Sequence, residues 1–253
     1  MCAAGAVALG IAFVAREART ANPLIPLRIF RVREVAAANA IQGLLVAGMF
    51  GTFFMGSLYM QRVLGYTPLQ IGLAFLPATI VMAVLSLRYS ERLITRFGAR
   101  TTLLPGLVLI AGGMAVFGVA PVAGDYVRHV LPAMILIGFG IGVAFPALMG
   151  LAMSGATQAD AGLASGLVNT TVQVGGALGL AVLATLSATR SAHLVRGGST
   201  TASALTGGYH LAFLIGAGLV LAAIAVAVTV LRPSREESTQ ALAGPEQVAC
   251  EAA

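Results

Sequence analysis

Residues 35–61 read VAAANAIQGLLVAGMFGTFFMGSLYMQ, with no formal charge anywhere in the stretch. A helix needs about 20 predominantly apolar residues to cross the hydrocarbon core of a bilayer, and this run is long enough. Five further apolar runs follow, at Val63–Leu87, Thr101–Gly124, Val130–Ala159, Ala161–Thr189 and Leu211–Leu231. Lipid offers no hydrogen-bond partner, so backbone N–H and C=O groups must be satisfied inside each segment, as they are in a helix. The chain is therefore read as all-α, a polytopic membrane helix bundle. Its spans are placed at about Ala36–Met60, Leu69–Leu87, Thr102–Val119, Val130–Met153, Ser165–Ser187 and Tyr209–Leu231.

Composition agrees with that class. Hydrophobic residues make up 58% of the 253 residues and charged residues 9%, with a mean hydropathy of +0.93. Soluble domains carry about 25% charged residues. The net charge is +6, and every basic residue other than histidine is arginine. The arginines flank apolar runs, where they set orientation in the membrane. No basic stripe interleaved with aromatics is present, so no nucleic acid partner is expected. Without lysine the chain has neither a P-loop nor a Schiff base. Cys2 and Cys250 lie near opposite ends, and His129, His193 and His210 are scattered, so no disulfide, metal site or cofactor is expected. Gly138-Phe-Gly140-Ile-Gly142 lacks the third glycine of a dinucleotide fingerprint and reads as close helix packing. With no nucleophile, metal or acid–base constellation, the chain is not expected to be an enzyme.

Residues 1–15 hold an apolar stretch too short to span. Arg16 and Arg19 follow it instead of preceding it, so it reads as the end of a truncated transmembrane helix and not as a signal peptide. Residues 16–34 contain Pro23, Pro26 and several arginines and read as a cytoplasmic linker. Residues 35–231 form the six-helix bundle. Within it, the link Ser154–Ala164 holds only Asp160, and Arg190–Gly208, rich in Ser, Thr and Gly, is expected to be a polar loop. Residues 232–253 read as a disordered cytoplasmic tail. The two most basic links, before the first span and between the second and third, lie an even number of crossings apart. Both are expected on the cytoplasmic side of the inner or plasma membrane, which places the C-terminus there as well.

One of these links, Glu91-Arg-Leu-Ile-Thr-Arg-Phe-Gly-Ala-Arg100, combines a turn glycine, Gly98, with Arg92, Arg96 and Arg100. Such arginines bind helix C-terminal carbonyls or anionic lipid, or only mark the cytoplasmic side. The decapeptide resembles the loop between the second and third helices of a six-helix half in the major facilitator superfamily. Arg96, Gly98 and Arg100 match that pattern, while Glu91 and Thr95 depart from it. Two further stretches are similar to the fourteen-helix drug:proton antiporter branch. One is Ser57–Gln61 with Leu64–Pro77, and the other is Ala161–Gly179; Asn22–Phe30 also resembles that branch's linker before its ninth helix. The resemblance implies the six-helix C-terminal half of a major facilitator fold, with a 3+3 inverted repeat and a cavity shared with a missing N-terminal half. It also implies export of a hydrophobic small-molecule substrate, a drug or a secondary metabolite, driven by protons. The position of Val172 is often an arginine in that branch, and its absence here removes any charge role.

Candidate functional residues follow. Gly175 and Gly179 have GxxxG spacing, as do Gly162 and Gly166, and with Gly176 they read as helix-packing positions. Polar groups inside a span face a cavity or another helix. Asn39 and Gln42 share one helix face, and Asn169 and Gln173 share another. With Met49, Phe53 and Met60 they are candidates for lining a substrate path, the alternative being interhelical hydrogen bonds. No span has an Asp, Glu, Lys or Arg near its middle, so a proton-carrying group is expected in the other half. The alternatives are a half-transporter that assembles with a partner half, an inert fragment, and a structural or regulatory membrane subunit. The lipid bilayer is a partner in each case.

Overall fold

The computed structural model describes Gly5, Arg16 and residues 33–154 and 161–231. The expected truncated helix, the proline-bearing part of the linker and the tail lie outside the described residues. The described chain is helical: α1 spans Arg33–Arg62, α2 Pro68–Val84, α3 Ser90–Phe97, α4 Ala99–Phe117, α5 Leu131–Ser154, α6 Ala161–Arg196 and α7 Thr201–Val230. A π-helical turn, Leu85–Tyr89, joins α2 to α3, and another, Tyr126–Val130, leads into α5. Six helical stretches are long and apolar enough to cross a membrane, with α2 and α3 counting as one.

Local chemistry sets the ends. Thr67 caps α2: its hydroxyl accepts from Gln70 N, its N–H donates to Gln70 Oε1 at 2.8 Å, and Pro68 fills the first helical position, where no N–H is needed. Gly98 breaks α3 from α4 at φ +81°, a conformation that side chains with a Cβ rarely adopt.

Two expected boundaries are corrected. The arginine loop after the second span is mostly helix, because α3 continues α2 through the π-helical turn and ends only at Gly98. The polar link Arg190–Gly208 is also mostly helix: α6 runs to Arg196 and α7 starts at Thr201. The turn between them needs little more than Gly198 at φ +88° and the Thr200 cap, whose hydroxyl accepts from Ser203 N.

Packing follows a pattern in which the first three spans mirror the last three. Helix α1 packs along α7 and α6, α5 packs along α4 and α2, and α4 meets α7. Glycine makes each crossing possible. A Cβ on Gly48 would come within 2.9 Å of the Gly216 carbonyl on α7, and one on Gly106 within 2.9 Å of the Gly140 carbonyl on α5. One on Gly138 would lie 2.6 Å from the Ala78 carbonyl on α2, and one on Gly175 3.1 Å from the Gly43 carbonyl on α1. In lipid, where apolar surface gains nothing by hiding from solvent, such close approach supplies the dispersion energy of association. The mirror is broken at one place. Helices α6 and α7 pack on each other, while α2 has no comparable contact with α4.

The arrangement leaves two elements least covered. Only 17% of the membrane-length window is buried in the α2–α3 and α6 spans, against 39% to 56% in the other four. Their free faces are the open surface of the bundle.

A substitution series checks the crossings. A Cβ on Gly179 would collide with the Ala47 backbone, whereas Gly112 in α4 has open space around it. Gly179→Val is expected to lower stability by about 1–3 kcal/mol, and Gly112→Ala to be neutral or stabilising by up to about 1 kcal/mol. Thermal unfolding in detergent reads both, and equal losses would contradict the packing described.

Candidate functional site

The α1–α6 seam holds one of the polar candidates, Asn39. Both helices run the same way, so positions four apart on each stay in register. Gly43, Ala47 and Gly51 of α1 face Thr171, Gly175, Gly179 and Leu183 of α6. Just before this stripe, Asn39 is buried. Its amide donates to the Val35 carbonyl of its own helix at 2.9 Å, and its Oδ1 accepts from the Thr171 hydroxyl at 3.1 Å. Gln42, one turn on, is 2% exposed.

Asn169 and Gln173 lie elsewhere on α6, on its free face, and both are exposed. The Asn169 amide donates to the Ser165 carbonyl at 3.1 Å, and Gln173 makes no hydrogen bond among the described residues. The two amide pairs are thus not brought together. Asn39 is at a helix seam and Gln42 is buried, whereas the second pair looks outward from this chain.

The apolar candidates separate in the same way. Met60 is completely buried and Met49 nearly so, both within the helix core. Phe53 is half-buried, with its ring centroid 5.7 Å from that of Phe75 on α2. Phe50 and Phe54, on either side, are the exposed aromatics of α1. Phe50 lies against Gly176, where a Cβ would meet its ring at 3.1 Å. Gly175 and Gly179 sit on the α1 crossing, whereas a Cβ on Gly162 or Gly166 would meet nothing within 4 Å.

Sequence reading missed Thr171, Phe50 and Phe75. Thr171 could have been found from spacing, because it precedes Gly175 and Gly179 at four-residue intervals and so shares their face. Nothing in the apolar run around Phe50 distinguishes it from Met49.

The arginine loop resolves into separate roles. Arg100, in the first turn of α4, donates through Nη2 to the Val228 carbonyl at 3.0 Å, and Arg33, at the start of α1, donates to the Thr229 carbonyl at 3.2 Å. Both thus cap the C-terminus of α7, where carbonyls lack intrahelical partners and positive charge is favoured. Arg92 and Arg96 are exposed on α3, with Arg96 stacked 5.4 Å over the Phe97 ring. The opposite end of the bundle is fastened by hydrogen bonds to a loop. Tyr59 donates to the Pro121 carbonyl, and the His210 ring to that of Ala120, each at 2.6 Å.

A sequence model of the Major Facilitator Superfamily matches residues 2–180. The chain belongs to that family. Over 238 residues it is 38% identical to a cephamycin export protein of Amycolatopsis lactamdurans, which covers 94% of this chain and 47% of that protein. Over 236 residues it is 36% identical to a puromycin resistance protein of Streptomyces alboniger, covering 90% of this chain and 46% of that protein. A tetracenomycin C resistance and export protein of Streptomyces glaucescens is 32% identical over 188 residues, 74% of this chain and 34% of its own length. The chain thus spans about half the length, or less, of the curated relatives it matches.

The Asn39–Thr171 bond is testable by a double-mutant cycle. Asn39→Ala and Thr171→Val are expected to couple by about 0.6 kcal/mol, the usual size between membrane helices. Asn39→Ala and Gln173→Leu should be additive. Additivity in the first pair, measured by thermal unfolding in lipid, would remove the bond.

Proposed function

We infer that this chain is the C-terminal six-helix half of a proton-coupled exporter of hydrophobic drugs or secondary metabolites. The observation that carries this reading is the free face of α6. Within a membrane-length helix it exposes Asn169, Thr170 and Gln173. Thr170 is satisfied locally, by the Gly166 carbonyl at 2.9 Å, but the Gln173 amide is not. A polar group left facing hydrocarbon is costly, so this face meets protein or a water-filled path. The missing half-protein supplies both. Coverage of about half of two relatives and a third of another supports this, and the export and resistance roles for which those relatives are named support the direction and substrate class.

Substrate would move along the boundary between the halves, touching mainly apolar and aromatic surface such as Phe50 and Phe54, with few fixed polar contacts. Such a surface admits many shapes. Among the described residues no Asp, Glu, Lys or Arg lies near the middle of a span. The proton-carrying group therefore belongs to the other half, and this half contributes surface and a rocking body. The Arg33 end, with Arg88, Arg92, Arg96 and Arg100, would face the cytoplasm.

The test is drug accumulation in efflux-deficient cells, comparing the 253-residue chain with a version extended upstream through in-frame coding sequence. Only the extended form should lower accumulation; activity of the short chain alone would replace this reading with a homodimer of halves. In the extended protein, Gln173→Leu should change which compounds are exported more than it changes protein level. Unchanged resistance to every exported compound, at equal abundance, would sink the role of that face.

A further inference from the structure

We propose that a cavity at the Arg62 end of the bundle is a binding site for a flat, neutral aromatic molecule carrying one hydrogen-bond acceptor, such as an aryl ketone. The cavity is about 350 Å³ and is lined by Tyr66, Gln70, Leu73, Ala74 and Tyr126. It is an open cleft, with Gln70 and Leu73 exposed at its rim, and has room for one small molecule. It lies roughly 35 Å along α1 from Asn39, at the edge of the free face of α2, to which Leu73 also belongs.

The walls are held in place. Tyr126 donates its hydroxyl to the Ala74 carbonyl at 2.9 Å, which ties the start of the α5 span to α2. The Tyr66 N–H donates to the Met60 carbonyl at 3.0 Å, just after Gly65 turns the chain at φ +72°. Gln70 Oε1 accepts from the Thr67 N–H at 2.8 Å and lies 3.1 Å from the Thr67 hydroxyl. The capping box thus uses the amide oxygen and leaves the amide NH₂ without a partner among the described residues.

The chemistry of the lining selects the ligand. Two tyrosine rings and the Leu73 and Ala74 side chains offer flat aromatic and apolar contact. The Gln70 NH₂ and the Tyr66 hydroxyl offer donors, and the Tyr126 hydroxyl has already given its proton to Ala74. Among the described residues no charged side chain lines the cavity, so an ionised ligand finds no counter-charge there. A ligand with an acceptor on a flat ring system matches the donors and the walls together.

The experiment is photolabelling of the 253-residue chain in lipid nanodiscs with benzophenone, followed by peptide mapping. Labelling is expected to saturate and to concentrate within residues 66–74 and at Tyr126. Xanthone should compete at concentrations about threefold to tenfold lower than xanthene, which has the same three rings without the ketone, because one hydrogen bond separates them. Leu73→Trp, filling the cavity, should abolish the saturable label, and Leu178→Trp on the free face of α6 should leave it intact. Tyr66→Phe, which removes a hydroxyl and nothing else, should weaken xanthone competition. Labelling that never saturates, or that spreads evenly over the apolar surface, overturns the site. So does equal competition by xanthone and xanthene, which would mean an apolar cleft occupied by lipid tails.

Discussion

Everything in this bundle depends on backbones approaching where no hydrophobic force pushes them together. Lipid tails are as apolar as leucine, so helices associate through dispersion and interhelical polar contacts, both of which require small residues at the crossings. Helix α1 meets this with two sets of small positions. Gly43 and Gly48 are five residues apart, about 140° around the axis, so one serves α6 and the other α7. Helix α5 repeats the arrangement with Gly138 and Gly142 toward α2 and Gly140 toward α4. These two helices are the hubs of the mirrored halves, and the remaining four take their places from them.

The existence of six spans was legible because length and lack of charge suffice to show a membrane helix. Their ends were not. Ser and Thr read as loop formers in water, yet inside these helices they are satisfied one turn back: Thr189 by the Thr185 carbonyl and Thr206 by the Ala202 carbonyl. A polar sequence such as Arg190–Gly208 therefore stays helical except at its turn. Likewise Ser90–Phe97 carries Arg92 and Arg96 but keeps the helical period, so it extends the second span as an amphipathic segment.

The candidate site was legible only in part, for a reason that applies to the whole class. A helix apolar on every side has no preferred face in its sequence, so nothing separated buried Met60 from exposed Phe50. Where polar or glycine residues broke the uniformity, spacing did carry information. The four-residue stripe through Gly175 and Gly179 marks the α1 crossing, and Asn169 with Gln173 marks a face of α6 turned the other way. Asn39 and Asn169 look equivalent in sequence. Only packing shows that the first is consumed by a bond to Thr171 and the second is not.

That difference fits the reading proposed above, in which this bundle moves as one body against an opposing half. A body that moves as a unit needs internal contacts firmer than those it makes with its partner. Here the internal ones are backbone-close glycine crossings, the Asn39–Thr171 bond and hydrogen bonds at both ends of the bundle. At one end Arg33 and Arg100 hold the last carbonyls of α7, coupling the starts of α1 and α4 to it. At the other, Tyr59 and His210 hold the loop after α4. The free faces of α2 and α6 carry none of these fastenings. The α2 face presents Leu69, Leu73, Leu76 and Ile80, groups that slide past a neighbour without breaking directional bonds. The α6 face adds the polar groups Asn169 and Gln173, which on the proposed reading a substrate or an opposing half would engage and release.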